Sequence, residues 1–248
     1  MKKEWMFVLL SFFLSAMSLS AKVSNEQDGL TKITVASWNI GHFALGKAND
    51  TKITAGEEKE KAAAYCNWFN EVNVDLLALV EFNPVFVNAA DGYPAVMARD
   101  AILSNYRYAE IGEKDSYNCN ALFSNGLPLK NTVSVKFAKM VQTRYYLCSE
   151  IELGGKTVKV VATHLDWNQG QDGAAFRALQ IQELIEAFKD EPSVILCADW
   201  NTKTPDEFDA FIKAGYRMAN HGYLGDLKTF PAGGNPQSVY DNIIMKGF

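Results

Sequence analysis

The chain has 248 residues, of which 48% are hydrophobic, and it carries a formal net charge of −5. This length and apolar fraction suffice for one large α/β domain with a sizeable core, and they exclude disordered, collagen-like and coiled-coil chains. An acidic protein does not attract polyanions through its overall charge. Any phosphate that it binds must therefore be held by a local metal ion or by a few basic side chains.

The N-terminus has the order of a secretory signal peptide. Two lysines precede an apolar run over residues 5–14, and small residues follow it. The run is shorter than the about 20 apolar residues that cross a bilayer as a helix. We therefore expect a signal peptide over residues 1–20, a flexible lead-in over residues 21–31, and a secreted or periplasmic mature protein without a transmembrane segment.

The cysteine spacing argues against a zinc or redox motif, because no two cysteines form a C-x-x-C pair. The four cysteines are Cys66, Cys119, Cys148 and Cys197. Cys197 lies inside an apolar run and is predicted to be a small core residue. Export permits one disulfide among the other three, and the sequence does not select the pair.

The elements predicted in chain order alternate between strands and a few helices. Alternating and β-branched patterns predict strands at 33–38, 76–82, 106–111, 120–124, 132–137, 144–153, 157–165, 194–198 and 239–245. Amphipathic spacing and start signals predict helices at 57–72, 94–103, 172–189 and 205–214. The middle of the chain lacks crossover helices, so the pattern favours two packed mixed sheets with helices outside over a doubly wound parallel sheet.

Two polar residues come at the ends of the first two strands. Asn39 precedes Gly41, and a turn is the simplest interpretation of that asparagine taken alone. Glu81 ends a fully apolar strand, where a carboxylate is costly to bury unless it is paired or bound to a cation. Burial cost therefore favours a metal ligand over a structural carboxylate at Glu81.

His164 ends another apolar strand and is one of three histidines in the chain. A lone histidine on a strand is more often a satisfied core group than a catalyst. The neighbouring Asp166 and the repeated strand-end pattern favour a functional role here. Asp241, at the start of the last predicted strand, either caps a turn or fixes the tautomer of a histidine.

Asp199 and Asn201 are two residues apart, so on an extended chain both side chains point to the same side. A carboxylate beside a neutral amide can orient a water nucleophile and hold a phosphate oxygen. The alternative is a structural Asx turn, which does not explain the polar residues at the other strand ends.

The order of these segments resembles the endonuclease/exonuclease/phosphatase superfamily, the deoxyribonuclease I-like proteins. The resemblance extends from about residue 32 to residue 245. It rests on Asn39, Glu81, Asn120-Ala121-Leu122-Phe123-Ser124, Thr163-His164-Leu165-Asp166, Asp199-Trp200-Asn201, Thr229-Phe230-Pro231 and Tyr240-Asp241-Asn242-Ile243-Ile244. It implies a four-layer α/β sandwich of two packed mixed β-sheets flanked by helices, and hydrolysis of phosphodiesters or phosphomonoesters with a divalent metal.

The resemblance also implies a role for each residue around the metal and the phosphate. Glu81 would be the principal metal ligand, with Asn39 beside it. Asn120 would line the phosphate pocket. His164 would donate to the phosphate in the transition state and would be oriented by Asp241.

Two further residues would act on the attacking water. Asp199 would orient or deprotonate it, and Asn201 would contact the phosphoryl group. Ligation by oxygen alone suits Mg²⁺, Mn²⁺ or Ca²⁺ better than zinc.

One motif of the superfamily is missing. Its pattern closes with a further strand that bears Ser-Asp-His, whereas this sequence ends at Phe248. His42 follows the first strand and His221 lies in a Gly-flanked loop, and neither matches that motif. We expect a C-terminal truncation that removes the last strand of the domain at 32–248. The alternative is a catalytically impaired member that binds phosphate-bearing ligands.

The sequence says little about the substrate. No Lys/Arg-rich run is present to grip DNA, so DNA, RNA, a phospholipid and a small phosphate ester all stay open. Arg144 and Arg177 are candidates for holding phosphate, although Arg177 fits a solvated helix face equally well. We expect a monomer.

Overall fold

The computed structural model describes residues 32–43, 58–87, 96–115, 118–168, 170–202, 204–219 and 240–248. Within these ranges the strands are β1 (Val35–Asn39), β2 (Leu76–Phe82), β3 (Val85–Val87), β4 (Val96–Met97), β5 (Tyr108–Ile111), β6 (Cys119–Ser124), β7 (Lys130–Lys136), β8 (Tyr145–Leu153), β9 (Lys156–His164), β10 (Val194–Asp199), β11 (Arg217–Met218) and β12 (Asp241–Lys246). The helices are α1 (Glu58–Val72), α2 (Ala98–Ile102), α3 (Gln171–Ala187) and α4 (Asp209–Lys213), with 3₁₀ turns at Gly41–Phe43 and Pro205–Phe208.

The strands form two larger mixed sheets and one short hairpin. The first sheet has the order β1-β2-β6-β5, with β1 parallel to β2 and the other pairs antiparallel. The second sheet has the order β11-β12-β10-β9-β8-β7, and its one parallel pair is β9 with β10. The hairpin pairs β3 with β4.

Three apolar cores define four layers. The core between the two sheets is formed by small and branched side chains, among them Leu76, Ala78, Leu122, Val160, Ala162 and Cys197. A second core lies between the first sheet and helices α1 and α2 and is rich in aromatic rings such as Trp68 and Phe123. A third lies between the second sheet and helices α3 and α4 around Trp200. The predicted α/β sandwich of two mixed sheets flanked by helices is confirmed.

The second predicted helix, at 94–103, is wrong in its first half. Val96 and Met97 are extended and pair with Val87 and Val85, so α2 begins only at Ala98. Pro94, the expected helix start, lies outside the described residues. The short strands β3, β4 and β11 were not predicted, because two or three residues show no detectable alternation.

The signal peptide at 1–20 and the lead-in at 21–31 also lie outside the described residues. None of the helices in the described ranges combines the length and the apolar composition that crossing a bilayer requires. All four cysteines lie in these ranges and carry free thiols, and Cys197 is fully buried in the core between the sheets as predicted.

Arg177 joins three parts of the second sheet's outer layer, and it is buried rather than solvated. Its Nε and Nη2 donate to the two carboxylate oxygens of Glu207, at 2.7 and 3.1 Å. Its Nη1 donates to the carbonyls of Asp166 and Asn168, at 3.2 and 2.7 Å. The predictions that Arg177 holds phosphate or lies on a solvated helix face are both wrong. Its guanidinium is buried and bonds to Glu207 and to the two carbonyls of the chain after β9.

Replacing Arg177 with Met should lower the free energy of unfolding by about 3 kcal/mol, since the Glu207 carboxylate and two carbonyls lose their donor. Urea denaturation measures this change. The matched control is Lys189→Met, which removes an exposed ion pair with Glu186 and should change stability by less than about 0.5 kcal/mol. Equal small effects of both variants would contradict the anchoring role.

Candidate functional site

Strand register places three of the predicted site residues in one row of the second sheet. Asp199 at the end of β10 is paired with His164 at the end of β9 and with Asp241 at the start of β12. Directly paired residues point to the same face of a sheet. The row therefore presents an imidazole and two carboxylates side by side at one edge of the second sheet.

A bulge in the first sheet directs Glu81. Leu79 pairs with Ala121 and Phe82 pairs with Cys119, so Val80 and Glu81 together stand opposite Asn120. Glu81 has a φ of +53°, a left-handed conformation that is rare for a residue with a side chain. Bulges of this kind re-aim a side chain next to functional sites, and strained backbone is retained there.

Asn39 connects the two sheets at this edge. Its Nδ2 donates to Glu81 Oε1 at 3.1 Å and to Asp199 Oδ2 at 2.8 Å. Its backbone N–H donates to Asp241 Oδ1 at 3.2 Å, and its own Oδ1 accepts from Gly41 N–H at 3.0 Å. The turn expected before Gly41 is present, and the same side chain also joins two carboxylates from different sheets.

Asp199 is buried, and its environment shifts its proton affinity. Loss of solvation raises the pKa of Asp199 to about 6, and the Glu81 carboxylate contributes to the rise. Hydrogen bonds from Asn39 Nδ2 and from Asn201 N–H, together with the charge of Arg144, limit it. A carboxyl with a pKa nearer neutrality is a better proton acceptor for a general base than an ordinary aspartate.

Asn201 positions a hydrogen-bond donor beside the imidazole of His164. Asn201 Nδ2 donates to the Leu165 carbonyl at 3.1 Å, so the amide nitrogen is oriented toward β9. The same nitrogen lies 2.8 Å from His164 Nε2. On the other side of the ring, Arg144 Nη1, which can only donate, lies 3.4 Å from Nδ1, and Glu81 Oε1 lies 3.8 Å from the same ring nitrogen. Both ring nitrogens of His164 therefore face a donor, and the Glu81 carboxylate is an acceptor near Nδ1.

The loop after β10 contains the Asx turn that was the structural alternative. Asn201 N–H donates to Asp199 Oδ1 at 2.8 Å, and Asn201 has a φ of +52°. The turn does not exclude the functional role, because the other oxygen of Asp199 faces Asn39 and lies 3.7 Å from His164 Nε2. The turn holds both Asp199 and Asn201 against the imidazole.

Two further residues extend the site on its other side. Asn120 is buried beside the bulge, and its Nδ2 donates to the Tyr145 carbonyl at 2.7 Å. Arg144 is also buried, with Nη1 at 2.7 Å from Asp115 Oδ2 and 3.4 Å from His164 Nδ1. Arg144 therefore lies beside the site, which is where a phosphate-binding arginine has to be. Asp115 was missed, because a single aspartate in a polar loop gives no signal.

Asp166 is structural rather than part of this cluster. Its Oδ2 accepts from Val141 N–H at 2.9 Å and its Oδ1 accepts from Asn168 N–H at 3.3 Å. The role of Asp241 in orienting His164 stays a prediction. The side chain of His42, all of His221 and the segment Thr229-Phe230-Pro231 lie outside the described residues.

Among the described residues, no three His, Cys, Asp or Glu side chains are grouped closely enough to form a metal site by themselves. Glu81 and Asn39 are the neighbouring oxygen-bearing side chains that could contribute to one. Mg²⁺ typically takes one or two carboxylates, keeps several waters and completes its shell with substrate phosphates, so it does not need three acidic ligands.

Comparison of the fold with solved structures finds many matches. TDP2 of D. rerio, in the structure "complexed with single strand DNA product", is 17% identical over 86% of this chain and 83% of its own, with a TM-score of 0.61. The human Nocturnin catalytic domain with bound sulfate anion is 19% identical over 86% of this chain and 82% of its own, with a TM-score of 0.60.

A third match is an endonuclease/exonuclease/phosphatase from Beutenbergia cavernae, 14% identical over 87% of this chain and 64% of its own, with a TM-score of 0.63. This chain has the endonuclease/exonuclease/phosphatase fold. No family model matches the sequence, and no curated protein matches it either.

The backbone at Glu81 yields a test that is independent of activity. Glu81→Gly and Glu81→Ala remove the same side-chain contacts, but only glycine adopts a φ of +53° without strain. The glycine variant should therefore be more stable than the alanine variant by about 1 kcal/mol. Thermal or urea unfolding measures the difference, and equal stability of the two variants would contradict a strained bulge.

Proposed function

We propose that this chain is an exported, divalent-metal-dependent phosphoric ester hydrolase that cleaves a phosphodiester or phosphomonoester by in-line attack of water. The observation that supports it most is the set of hydrogen bonds from Asn39 to Glu81, Asp199 and Asp241, beside His164. Acidic groups from two sheets are brought to one edge with a histidine and a buried arginine. That is an arrangement for binding a cation and a tetrahedral anion together.

The residues present fit Mg²⁺ or Mn²⁺. Glu81 has a partly exposed carboxylate, and Asn39 links it to a second carboxylate on Asp199. The side chains that could ligate the metal, Glu81 and Asn39, offer oxygen atoms, which suit hard cations better than zinc. Glu81 would hold the metal. Asn39 would contribute its Oδ1 after a rotation of the amide, in place of the Gly41 N–H bond of that oxygen and the two bonds that Nδ2 donates here.

A bound metal would neutralise charge on the phosphoryl oxygens and make the phosphorus more open to attack. The side chains of the site would activate the water and bind the phosphoryl oxygens. Asp199, with its raised pKa, orients a water and accepts its proton. The imidazole of His164 and the guanidinium of Arg144 donate to the phosphoryl oxygens as their charge grows. Asn120 and Asn201 line the same space.

The structural neighbours support the proposal of a phosphoric ester hydrolase. One of them holds a single-stranded DNA product and another holds a sulfate anion, which has the tetrahedral shape and charge of a phosphate. We propose a nucleic acid, a phospholipid or a small phosphate ester as the substrate class, with the protein acting as a monomer.

Purified protein should hydrolyse bis-p-nitrophenyl phosphate or plasmid DNA with Mg²⁺ or Mn²⁺, and EDTA should abolish the activity. His164→Ala and Asp199→Ala should each lower turnover by at least about a hundredfold, because the first removes a hydrogen-bond donor to the phosphoryl oxygens and the second removes the proton acceptor. The matched control is Asp190→Asn, which neutralises an exposed carboxylate and should leave turnover unchanged. Unchanged rates in either alanine variant would contradict the assigned roles. Binding of phosphate esters without any turnover would instead support a binding protein.

Metal binding can be measured without turnover. Glu81→Gln should weaken Mn²⁺ binding at least about tenfold, because an amide replaces the anionic ligand. Electron paramagnetic resonance of free Mn²⁺ gives the affinity, with Asp190→Asn again as the control. Equal affinity for Mn²⁺ in the wild-type protein and Glu81→Gln would place the metal elsewhere.

A further inference from the structure

A second concave feature lies beside the candidate site. It is a cleft with a volume of about 430 Å³, between the chain after β2, residues 111–114 and 118–119 at the ends of β5 and β6, and strands β7 and β8. This volume lies within the range of about 300–1,000 Å³ that is usual for small-molecule sites. The roles proposed above do not use it.

The cleft adjoins the phosphate side of the site. Asn83, on its wall, comes two residues after Glu81, and the N–H of Gly112 donates to the carbonyl of Asn120 at 2.9 Å. Asp115, three residues after Gly112, holds Arg144 next to His164. The residues that follow β5 therefore border the cleft and, through Asp115 and Arg144, the candidate site.

The lining combines aliphatic and polar side chains, and it includes one acidic and one basic residue, Glu113 and Lys114. Val85, Ile111 and Leu147 present apolar surface. Asn83 uses its Oδ1 to accept from Val85 N–H at 3.0 Å, which leaves its amide nitrogen as the donor toward a ligand. Ser134 accepts from Glu113 N–H at 3.0 Å and keeps its own hydroxyl proton to donate.

A glycine keeps the wall of the cleft thin. A Cβ at Gly112 would lie 3.2 Å from Ser134 Oγ and 3.3 Å from Leu147 Cδ1, closer than side chains normally pack. Gly112 thus lets the end of β5 approach the second sheet, and it leaves the space in front of it open.

We propose that this cleft is a specificity pocket for the organic group of the phosphate ester, and that the group is a nucleoside. This inference rests on the proposed function. A nucleoside has an apolar face to lie on Val85, Ile111 and Leu147, and hydrogen-bonding edges for Asn83 and Ser134. A nucleoside is also uncharged, and the one acidic and one basic residue of the lining, Glu113 and Lys114, give the cleft no net charge that would favour a highly charged headgroup.

The test compares two diesters with the same leaving group, the p-nitrophenyl ester of thymidine 5′-phosphate and methyl p-nitrophenyl phosphate. The wild-type protein should favour the thymidine ester at least about tenfold in kcat/KM, which corresponds to about 1.4 kcal/mol. Ile111→Trp fills the cleft from an exposed rim position and should reduce this preference below about threefold, through a loss of kcat/KM with the thymidine ester.

The control is Val133→Trp, which enlarges an exposed side chain on β7 that does not line the cleft. It should keep the preference of the wild-type protein. The pocket is overturned if the wild-type protein does not prefer the thymidine ester, or if Ile111→Trp leaves the preference unchanged.

Failure of the proposed function gives a different result. If the wild-type protein hydrolyses neither ester with Mg²⁺ or Mn²⁺, the hydrolase proposal is wrong, and binding then tests the pocket alone. Thymidine 5′-monophosphate, titrated in EDTA by calorimetry, should bind the wild-type protein and Val133→Trp equally and Ile111→Trp at least about tenfold more weakly. No saturable binding to the wild-type protein, or equal binding to all three proteins, would overturn the pocket.

Discussion

The Asn39 amide is the contact on which the site depends, because it joins carboxylates that belong to different sheets. Glu81 is part of the first sheet and Asp199 is part of the second, and one Nδ2 donates to both. Two anionic groups brought this close repel each other unless a donor or a cation lies between them. The amide limits that repulsion, and the backbone of the same residue ties Asp241 to the cluster.

The sandwich makes this contact possible by bringing strand ends to a common edge. The core between the sheets is built from small and branched side chains, which hold the two sheets close together. The larger aromatic side chains lie in the outer cores, under the helices. The seven residues predicted for the site are separated in sequence by up to about two hundred positions, and the packing of the sheets is what brings them to one edge.

The two mixed sheets with helices outside, and the polar residues at the strand ends, could be predicted from the sequence because both follow from strand patterns. Residues 76–82 form a continuous apolar run, and β2 has those bounds. Other features depend on partners that are distant in sequence. The bulge at Glu81 is defined by pairing with β6, and the burial of Arg177 depends on Glu207, thirty residues further on. No local pattern predicts either contact.

The row of His164, Asp199 and Asp241 also makes the proposed activity depend on the correct register of β10 with its neighbouring strands. Side chains alternate between the two faces of a strand, so a slip of β10 by one residue would turn Asp199 toward the opposite layer and bring Ala198 or Trp200 into its place. Such a misaligned protein could keep most of its secondary structure and compactness. The rate of hydrolysis would then report correct strand register more sensitively than the circular dichroism spectrum does.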